Sequence, residues 1–337
     1  MGARVIGIAS HLPERVETNE DLAREHPDWQ MDKLAEKSGI LERRVAGPQE
    51  TALDLAFQAA SRLLGRGLVG PAEIDYLVYC TQAPEYLLPS GACILQHRLK
   101  LGRHIGAFDF NLGCSGYVYG LQVADALIRS GAARHVLLVT ADTYSKYIHP
   151  GDRSTRTLFG DGAAATLLGP GQTWEGAGPF VLGTDGGGAM NLCVPSGGLR
   201  LPRSAETAVE QVDEAGCVRS RDNLYMNGPA LYTFALTVVP KCIAALLAKA
   251  GRTLADYDWF VLHQANKFML ESLVAKCRLP AEKMLYEYER IGNTVSSTIP
   301  IALQAHVESG AIRPGQRLLL AGFGVGYSWA AGELVWG

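Results

Sequence analysis

The chain has 337 residues, of which 47% are apolar and 19% are charged, so it can bury two core units and is too apolar for a disordered protein. Its formal net charge of −3 gives no global attraction for a nucleic-acid backbone. Seven cysteines without a C-x-x-C pair argue against a zinc knuckle and favour free thiols in a reducing compartment.

The N-terminus and the hydropathy pattern predict a cytoplasmic location. The first residues lack the long apolar core of a secretory signal. No apolar run approaches the roughly 20 residues that span a bilayer. We therefore expect a cytoplasmic protein without membrane or nucleic-acid contacts.

Strand-like and helix-like segments alternate along the chain, which is typical of an α/β fold. Continuous apolar runs suit strands that are buried on both faces, and a period of 3.6 marks the helices. The predicted strands are Tyr76–Cys80, Ile105–Phe110, His135–Thr140, Ala163–Leu168, Trp259–His263 and Arg317–Ala321. The predicted helices are Thr51–Leu64, Ser115–Arg129, Pro229–Ala250 and Lys267–Lys276.

Two pairs of similar segments occur in the same order. IDYLVYCTQA at Ile74–Ala83 resembles YDWFVLHQA at Tyr257–Ala265, and FGDGAAATLLG at Phe159–Gly169 more weakly resembles FGVGYSWAAGELV at Phe323–Val335. Paired similarities in register predict a duplicated chain. We place one half at residues 1–175 and the other at residues 176–337.

Cys114 lies in FDFNLGCSGYVYGLQVADALI, between a strand-like segment and a predicted helix. The free N–H groups at a helix N-terminus stabilise a thiolate, and Gly113 and Gly116 leave room for a substrate. These features suit a nucleophile, whereas the alternative is a small buried apolar side chain. Local context leaves both interpretations open for Cys114.

His263 ends a buried strand and opens HQANKFML, the position where α/β proteins build active sites, although a structural histidine is the alternative. Asn293 lies in IGNTVSSTIPIAL, where ordinary turn chemistry is the alternative. The G-x-G-x-G turn at Gly322–Gly326 is not followed by a helix, so we exclude a dinucleotide site. Such a turn can aim a backbone N–H at an oxyanion.

With Cys114, His263 and Asn293 considered together, the chain resembles the β-ketoacyl-acyl-carrier-protein synthase III family of the thiolase superfamily. The supporting strings are NLGCSG, YSKYIHPGDRSTRTLFGDGAA, YMNGPALY, HQAN, GNTVSSTIP and GFGVGYSW. The resemblance implies a thiolase-like α/β fold of two duplicated halves in αβαβα layers. Cys114 belongs to the first half, and His263 and Asn293 belong to the second.

The resemblance also implies the reaction, a decarboxylative Claisen condensation. Cys114 takes an acyl group, and His263 and Asn293 bind the thioester carbonyl of a malonyl-type extender. The backbone N–H groups of Cys114 and Val325 then form the oxyanion hole. Family members usually have glycine at the place of Val325.

Further residues match the family's substrate positions. Arg153 matches the arginine on adenine, Tyr232 an aromatic of the pantetheine tunnel and Asn266 a polar contact to it. Lys33 and Lys37 stand where members that use coenzyme A often have Trp and Arg. This departure weakens adenine binding. It favours loading from an acyl carrier protein over loading from acyl-CoA.

Two apolar residues match positions around the acyl group. Phe323 is expected beside Cys114, and Leu88 matches a residue that gates the acyl pocket, often from the partner subunit. The resemblance therefore implies a homodimer, with no permanently bound cofactor and no metal. A basic rim of Lys33, Lys37, Arg43, Arg44 and Lys267 is the predicted contact for an acidic carrier protein, the alternative being a solvated charged face.

Other reactions remain as alternatives. A degradative thiolase requires a second cysteine near the C-terminus, and no cysteine follows Cys277. Transfer of the acyl group to an oxygen or nitrogen acceptor is the main alternative, although relatives of that kind tend to alter the histidine or the asparagine. A non-catalytic subunit would lack Cys114.

Overall fold

The computed structural model describes residues 2–171 and 176–337. The strands are β1 (Ala3–His11), β2 (Val16–Thr18), β3 (Glu42–Arg44), β4 (Tyr76–Cys80), β5 (Gly106–Phe110), β6 (Val136–Asp142), β7 (Gly162–Pro170), β8 (Ala177–Thr184), β9 (Leu192–Cys193), β10 (Gln211–Val212), β11 (Val218–Arg219), β12 (Tyr225–Met226), β13 (Trp259–Leu262), β14 (Arg317–Gly324) and β15 (Ser328–Val335). The helices are α1 (Asn19–Glu25), α2 (Met31–Ser38), α3 (Ala52–Leu64), α4 (Gly91–Arg98), α5 (Gly116–Arg129), α6 (Arg153–Arg156), α7 (Gly228–Ala250), α8 (Lys267–Cys277) and α9 (Thr298–Glu308).

Two large sheets share one strand order. The first sheet runs β5-β4-β6-β7-β1, and the second runs β13-β14-β15-β8. In the first sheet β4 and β6 are parallel while β7 is antiparallel to both of its neighbours. In the second sheet β13 and β14 are parallel while β15 is antiparallel to both of its neighbours. The strands β4, β6, β7 and β1 therefore correspond to β13, β14, β15 and β8. The predicted boundary at residue 175 lies outside the described residues.

The helices form three layers around the two sheets. Helices α3 and α4 pack on the first sheet, α7 packs on the second, and α5 and α9 contact both sheets. The central helices are apolar where they face the strands, as Val118 and Leu121 of α5 and Leu303 of α9 are fully buried. Because helices cover both faces of each sheet, the central strands need continuous apolar sequences. The expected α/β class with two duplicated halves is confirmed.

Helix α7 corrects one expectation from the sequence. Its 23 residues are long and apolar enough to cross a membrane by length and composition, and an 18-residue window within it has a mean hydropathy of 1.8. The expectation that no segment meets this criterion is therefore wrong. Phe234, Val239 and Ile243 of α7 are buried in the core cluster that covers the second sheet. A core helix of a globular domain meets the same criterion.

Candidate active site

Cys114 lies between β5 and α5 and is almost completely buried. The end of β14 passes directly against it. A Cβ atom at Gly324 would lie 2.8 Å from Sγ of Cys114, and one at Gly322 would lie 2.6 Å from its carbonyl oxygen. Only glycine permits this approach. The glycine turn that the sequence predicted therefore lies against the predicted nucleophile.

Burial raises the pKa of the Cys114 thiol to about 12, although the backbone N–H of Val325 acts in the opposite direction. The expectation of a thiolate stabilised by a helix N-terminus is therefore wrong for the free protein. The free energy needed to desolvate a charged sulfur is larger than the stabilisation that the nearby N–H groups give to the thiolate. The resting thiol is protonated at neutral pH.

Alkylation of Cys114 is therefore expected to accelerate with pH. Only the thiolate reacts, so below the pKa its fraction and the rate of reaction with iodoacetamide rise about tenfold for each pH unit. The labelled peptide is quantified by mass spectrometry between pH 7 and pH 9. The exposed Cys93 provides an internal reference for the reagent. A rate at Cys114 that levels off below pH 8 would contradict this pKa.

His263 follows directly after β13, where its backbone N–H donates to Ala321 O over 2.8 Å. Its ring is buried, with Nδ1 2.7 Å from the hydroxyl of Thr298 and Nε2 3.5 Å from Nδ2 of Asn293. Burial lowers the pKa of His263 to about 3. The imidazole is therefore neutral and can donate one N–H, not two.

Asn293 is held by hydrogen bonds of its backbone and of its side-chain oxygen Oδ1. Its N–H donates to Leu158 O over 2.8 Å, and its carbonyl accepts from the N–H of Gly160 over 3.1 Å. Its Oδ1 accepts from the N–H of Val295 over 2.9 Å. The amide Nδ2 is thereby aimed towards His263, which leaves two nitrogens side by side at the cavity.

The turn after Asn293 contains a strained residue. Val295 has φ of +56°, a left-handed conformation that β-branched residues rarely adopt. The next residue, Ser296, donates its N–H and its hydroxyl to the carboxylate of Asp142. Asp142 also accepts from the N–H of Gln82 over 2.8 Å. Asp142 thus connects the end of β6 to the turn that presents Asn293.

Asp142 and Thr298 were not found from the sequence. Asp142 is completely buried, and this burial raises its pKa to about 7, against the effect of its hydrogen bonds from Ser296 and Gln82. The available signal was an acidic residue at the end of the apolar strand VLLVTAD. Thr298 had no separate signal within GNTVSSTIP.

A cavity of about 500 Å³ brings Cys114, His263, Asn293 and Phe323 together. Phe323 lies between the two glycines of β14, and its ring meets the ring of His263 edge-on with centroids 5.7 Å apart. Much of the remaining cavity wall is formed by apolar side chains, namely those of Leu158, Phe159, Leu192, Met226, Leu231, Phe234 and Met269.

Three of the predicted substrate residues line the same cavity: Lys37, Tyr232 and Asn266. Tyr232 stacks on Phe268 with centroids 5.2 Å apart, and Nζ of Lys37 lies 5.2 Å from the centre of the Phe268 ring. Asn266 caps α8, where its side chain accepts from the N–H of Met269. The partly exposed Phe268 was not predicted.

Val325 lies between two cavities, because its backbone N–H reaches the Cys114 thiol and the residue also borders a second cavity of about 770 Å³. The other predicted residues lie elsewhere. Leu88 is 82% exposed and does not line the first cavity. Arg153 also lies outside that lining and donates to Ala215 O over 2.9 Å. Arg43 is fully buried, so it cannot contribute to the predicted basic rim.

Comparisons with known proteins agree with the resemblance. The family described as 3-oxoacyl-[acyl-carrier-protein] synthase III matches residues 108–186, and the C-terminal family of the same description matches residues 247–336. A β-ketoacyl-[acyl-carrier-protein] synthase III of Caldanaerobacter subterraneus is 34% identical over 100% of this chain and 98% of its own length.

Solved structures give the same result. A crystal structure of a 3-oxoacyl-(acyl-carrier-protein) synthase III is 52% identical, with a TM-score of 0.98 and complete coverage of both chains. The priming β-ketosynthase of the R1128 polyketide pathway is 33% identical, with a TM-score of 0.85 over 99% of this chain and 96% of the other. The predicted resemblance and the thiolase-like fold are confirmed.

Proposed function

The chain belongs to the β-ketoacyl-[acyl-carrier-protein] synthase III family, and on this basis we propose that it condenses an acyl group held on Cys114 with a malonyl-type thioester. The products are CO₂ and a β-ketoacyl thioester. The observation that best supports this assignment is the arrangement of one cavity. A buried thiol shares it with two neighbouring nitrogens of His263 and Asn293, held 3.5 Å apart.

In the first half-reaction the sulfur of Cys114 attacks the carbonyl of an acyl thioester. The donor's thiol leaves with the cysteine proton, and the acyl group remains on Sγ. The backbone N–H groups of Val325 and Cys114 both act on the sulfur, which supports our proposal that this pair binds the oxyanion. Val325 has no positive φ, so its N–H does not require glycine at this position.

In the second half-reaction a malonyl-type thioester loses CO₂, and its thioester oxygen becomes an enolate oxygen. His263 and Asn293 each offer one N–H to that oxygen. Because both side chains are buried, their dipoles act without competition from water. The enolate carbon then attacks the acyl carbonyl, the thiolate of Cys114 leaves, and it takes up one proton from solvent to restore the thiol.

A product assay tests this proposal. The purified protein is incubated with an acyl donor and isotopically labelled malonyl thioester, and CO₂ and the β-ketoacyl thioester are measured. We expect equal amounts of both products. Acyl transfer to an alcohol or amine without release of CO₂ would instead establish the alternative function.

We propose that an acyl carrier protein delivers at least one of the substrates, with acyl-CoA as the other possible donor. The relatives' names include an acyl carrier protein. Lys37 and Phe268 line the cavity, and Lys267 lies beside Phe268 at the start of α8. Lysine side chains beside a partly exposed aromatic ring form a positively charged surface, and such a surface is complementary to an acidic partner. The free cysteines fit a cytoplasmic setting.

We also propose a homodimer, because one edge of the first sheet is uncovered. Strand β5 pairs only with β4 within the described residues, and Phe108 on β5 is partly exposed. The nearby Leu87 and Leu88 are each 82% exposed. Pairing of two β5 strands across a two-fold axis would cover this edge.

Light scattering is therefore expected to give about twice the chain mass of 36.2 kDa. Replacing Phe108 with glutamate should shift the measured mass towards that of one chain. The two glutamates would lie close together across the two-fold axis, and their negative charges would repel each other. A wild-type mass of one chain at micromolar concentration would contradict the dimer.

A further inference from the structure

The hydroxyl of Thr298 makes the closest polar contact of His263. Thr298 begins α9, and its Oγ1 lies 2.7 Å from Nδ1 of His263 and 3.2 Å from Val295 O. Threonine and histidine are both buried. Water therefore does not compete for the hydrogen bond between these two side chains.

Two arrangements of the protons are possible because the imidazole is neutral. In the first, Nδ1 holds the proton and donates to Thr298, whose hydroxyl donates to Val295 O. In the second, the hydroxyl donates to Nδ1, and Nε2 holds the proton. Only the second arrangement presents an N–H from His263 beside Nδ2 of Asn293.

The distances favour the second arrangement. A hydroxyl donates to oxygen most often over about 2.7–2.8 Å, so the 3.2 Å contact to Val295 O is a poor alternative for its proton. In the first arrangement Nε2 would have to accept from Asn293 over 3.5 Å, which is also long. In the second, the two nitrogens are both donors and await an acceptor oxygen.

We propose that Thr298 is a positioning residue that selects the Nε2–H tautomer of His263 by donating its hydroxyl proton to Nδ1. This inference rests on the proposed decarboxylation at His263 and Asn293. An enolate oxygen facing a bare Nε2 lone pair would be repelled, whereas the Nε2–H group stabilises it. Thr298 thus acts through His263 without touching the substrate.

Two substitutions at the same position separate this role from packing. Thr298→Val has nearly the same shape and lacks the hydroxyl, and Thr298→Ser keeps the hydroxyl and loses a methyl group. We expect the valine variant to lose about 10²-fold in malonyl decarboxylation, the typical effect of losing one donor to an oxyanion. Acylation of Cys114 should be unchanged, and the serine variant should decarboxylate at close to the wild-type rate.

Thr294→Val is the matched control. Thr294 belongs to the same turn and is fully buried, and its hydroxyl has no hydrogen-bond partner in the described part of the chain. Its substitution should leave both half-reactions intact. Equal losses of acylation and decarboxylation in Thr298→Val, or equal losses in Thr298→Val and Thr298→Ser, would overturn the proposal.

The tautomer can also be observed directly. Protein with ¹⁵N-labelled histidine rings is studied by NMR, and the His263 signals are assigned by their loss in His263→Ala. The proposal expects a protonated Nε2 and a bare Nδ1 in the wild type, with a changed ratio in Thr298→Val. A protonated Nδ1 in the wild type overturns it. This readout does not depend on turnover, so it remains informative even where the product assay refutes the condensing function.

Discussion

The Cys114→Ala variant is expected to form no acyl-enzyme with any acyl donor, whereas the wild type gains the mass of one acyl group. The substitution removes the sulfur that shares the cavity with His263 and Asn293. Alanine fits the space beside Gly322 and Gly324, so the fold should tolerate it. Intact-protein mass spectrometry after incubation with acyl-CoA and acyl-carrier-protein donors measures the adduct.

The same variant provides a second, independent readout. His263, Asn293 and Thr298 are untouched in Cys114→Ala, so slow release of CO₂ from a malonyl thioester should persist without condensation. Cys80→Ala is the matched control, because Cys80 is also buried and donates to Leu112 O. It should acylate like the wild type. An adduct that survives in Cys114→Ala would place the nucleophile at another residue.

The fold was predictable where pattern and environment agree. Strands β4, β6, β7, β13 and β14 are continuous apolar runs, and each belongs to a sheet that helices cover. Strands β8 and β15 were not predicted as strands. Their sequences, AGPFVLGT and SWAAGELV, contain glycine, proline and small residues, and their conformation depends on pairing with each other and with β14. Such long-range pairing has no local signature.

The site residues could be predicted from the sequence where they belong to a recognisable motif. HQAN and GNT located His263 and Asn293, and the structure brings both to the cavity of Cys114. Supporting contacts were beyond the sequence: Asp142 reaches Ser296 across 154 positions. The pKa of Cys114 was predicted in the wrong direction because the depth of burial cannot be read from a local string.

The Asn293→Asp variant is expected to lose at least 10²-fold in malonyl decarboxylation while Cys114 still acylates. Oδ1 of the new aspartate can still accept from the N–H of Val295, so the turn should keep its shape. The second oxygen replaces the donor Nδ2 beside His263. The enolate oxygen then meets a negative charge where it needs an N–H, so the loss should exceed that of a single missing donor. Release of labelled CO₂ and the Cys114 adduct are measured on the same sample.

Asn293→Ala separates the lost donor from the added charge. It removes Nδ2 without placing an anion in the cavity, so its decarboxylation rate should lie between those of the wild type and Asn293→Asp. It also removes the acceptor that holds the N–H of the strained Val295, so its free energy of unfolding should fall by about 1 kcal/mol or more. If Asn293→Asp loses acylation and decarboxylation equally, Asn293 shapes the whole cavity and the division of roles between the two half-reactions is wrong.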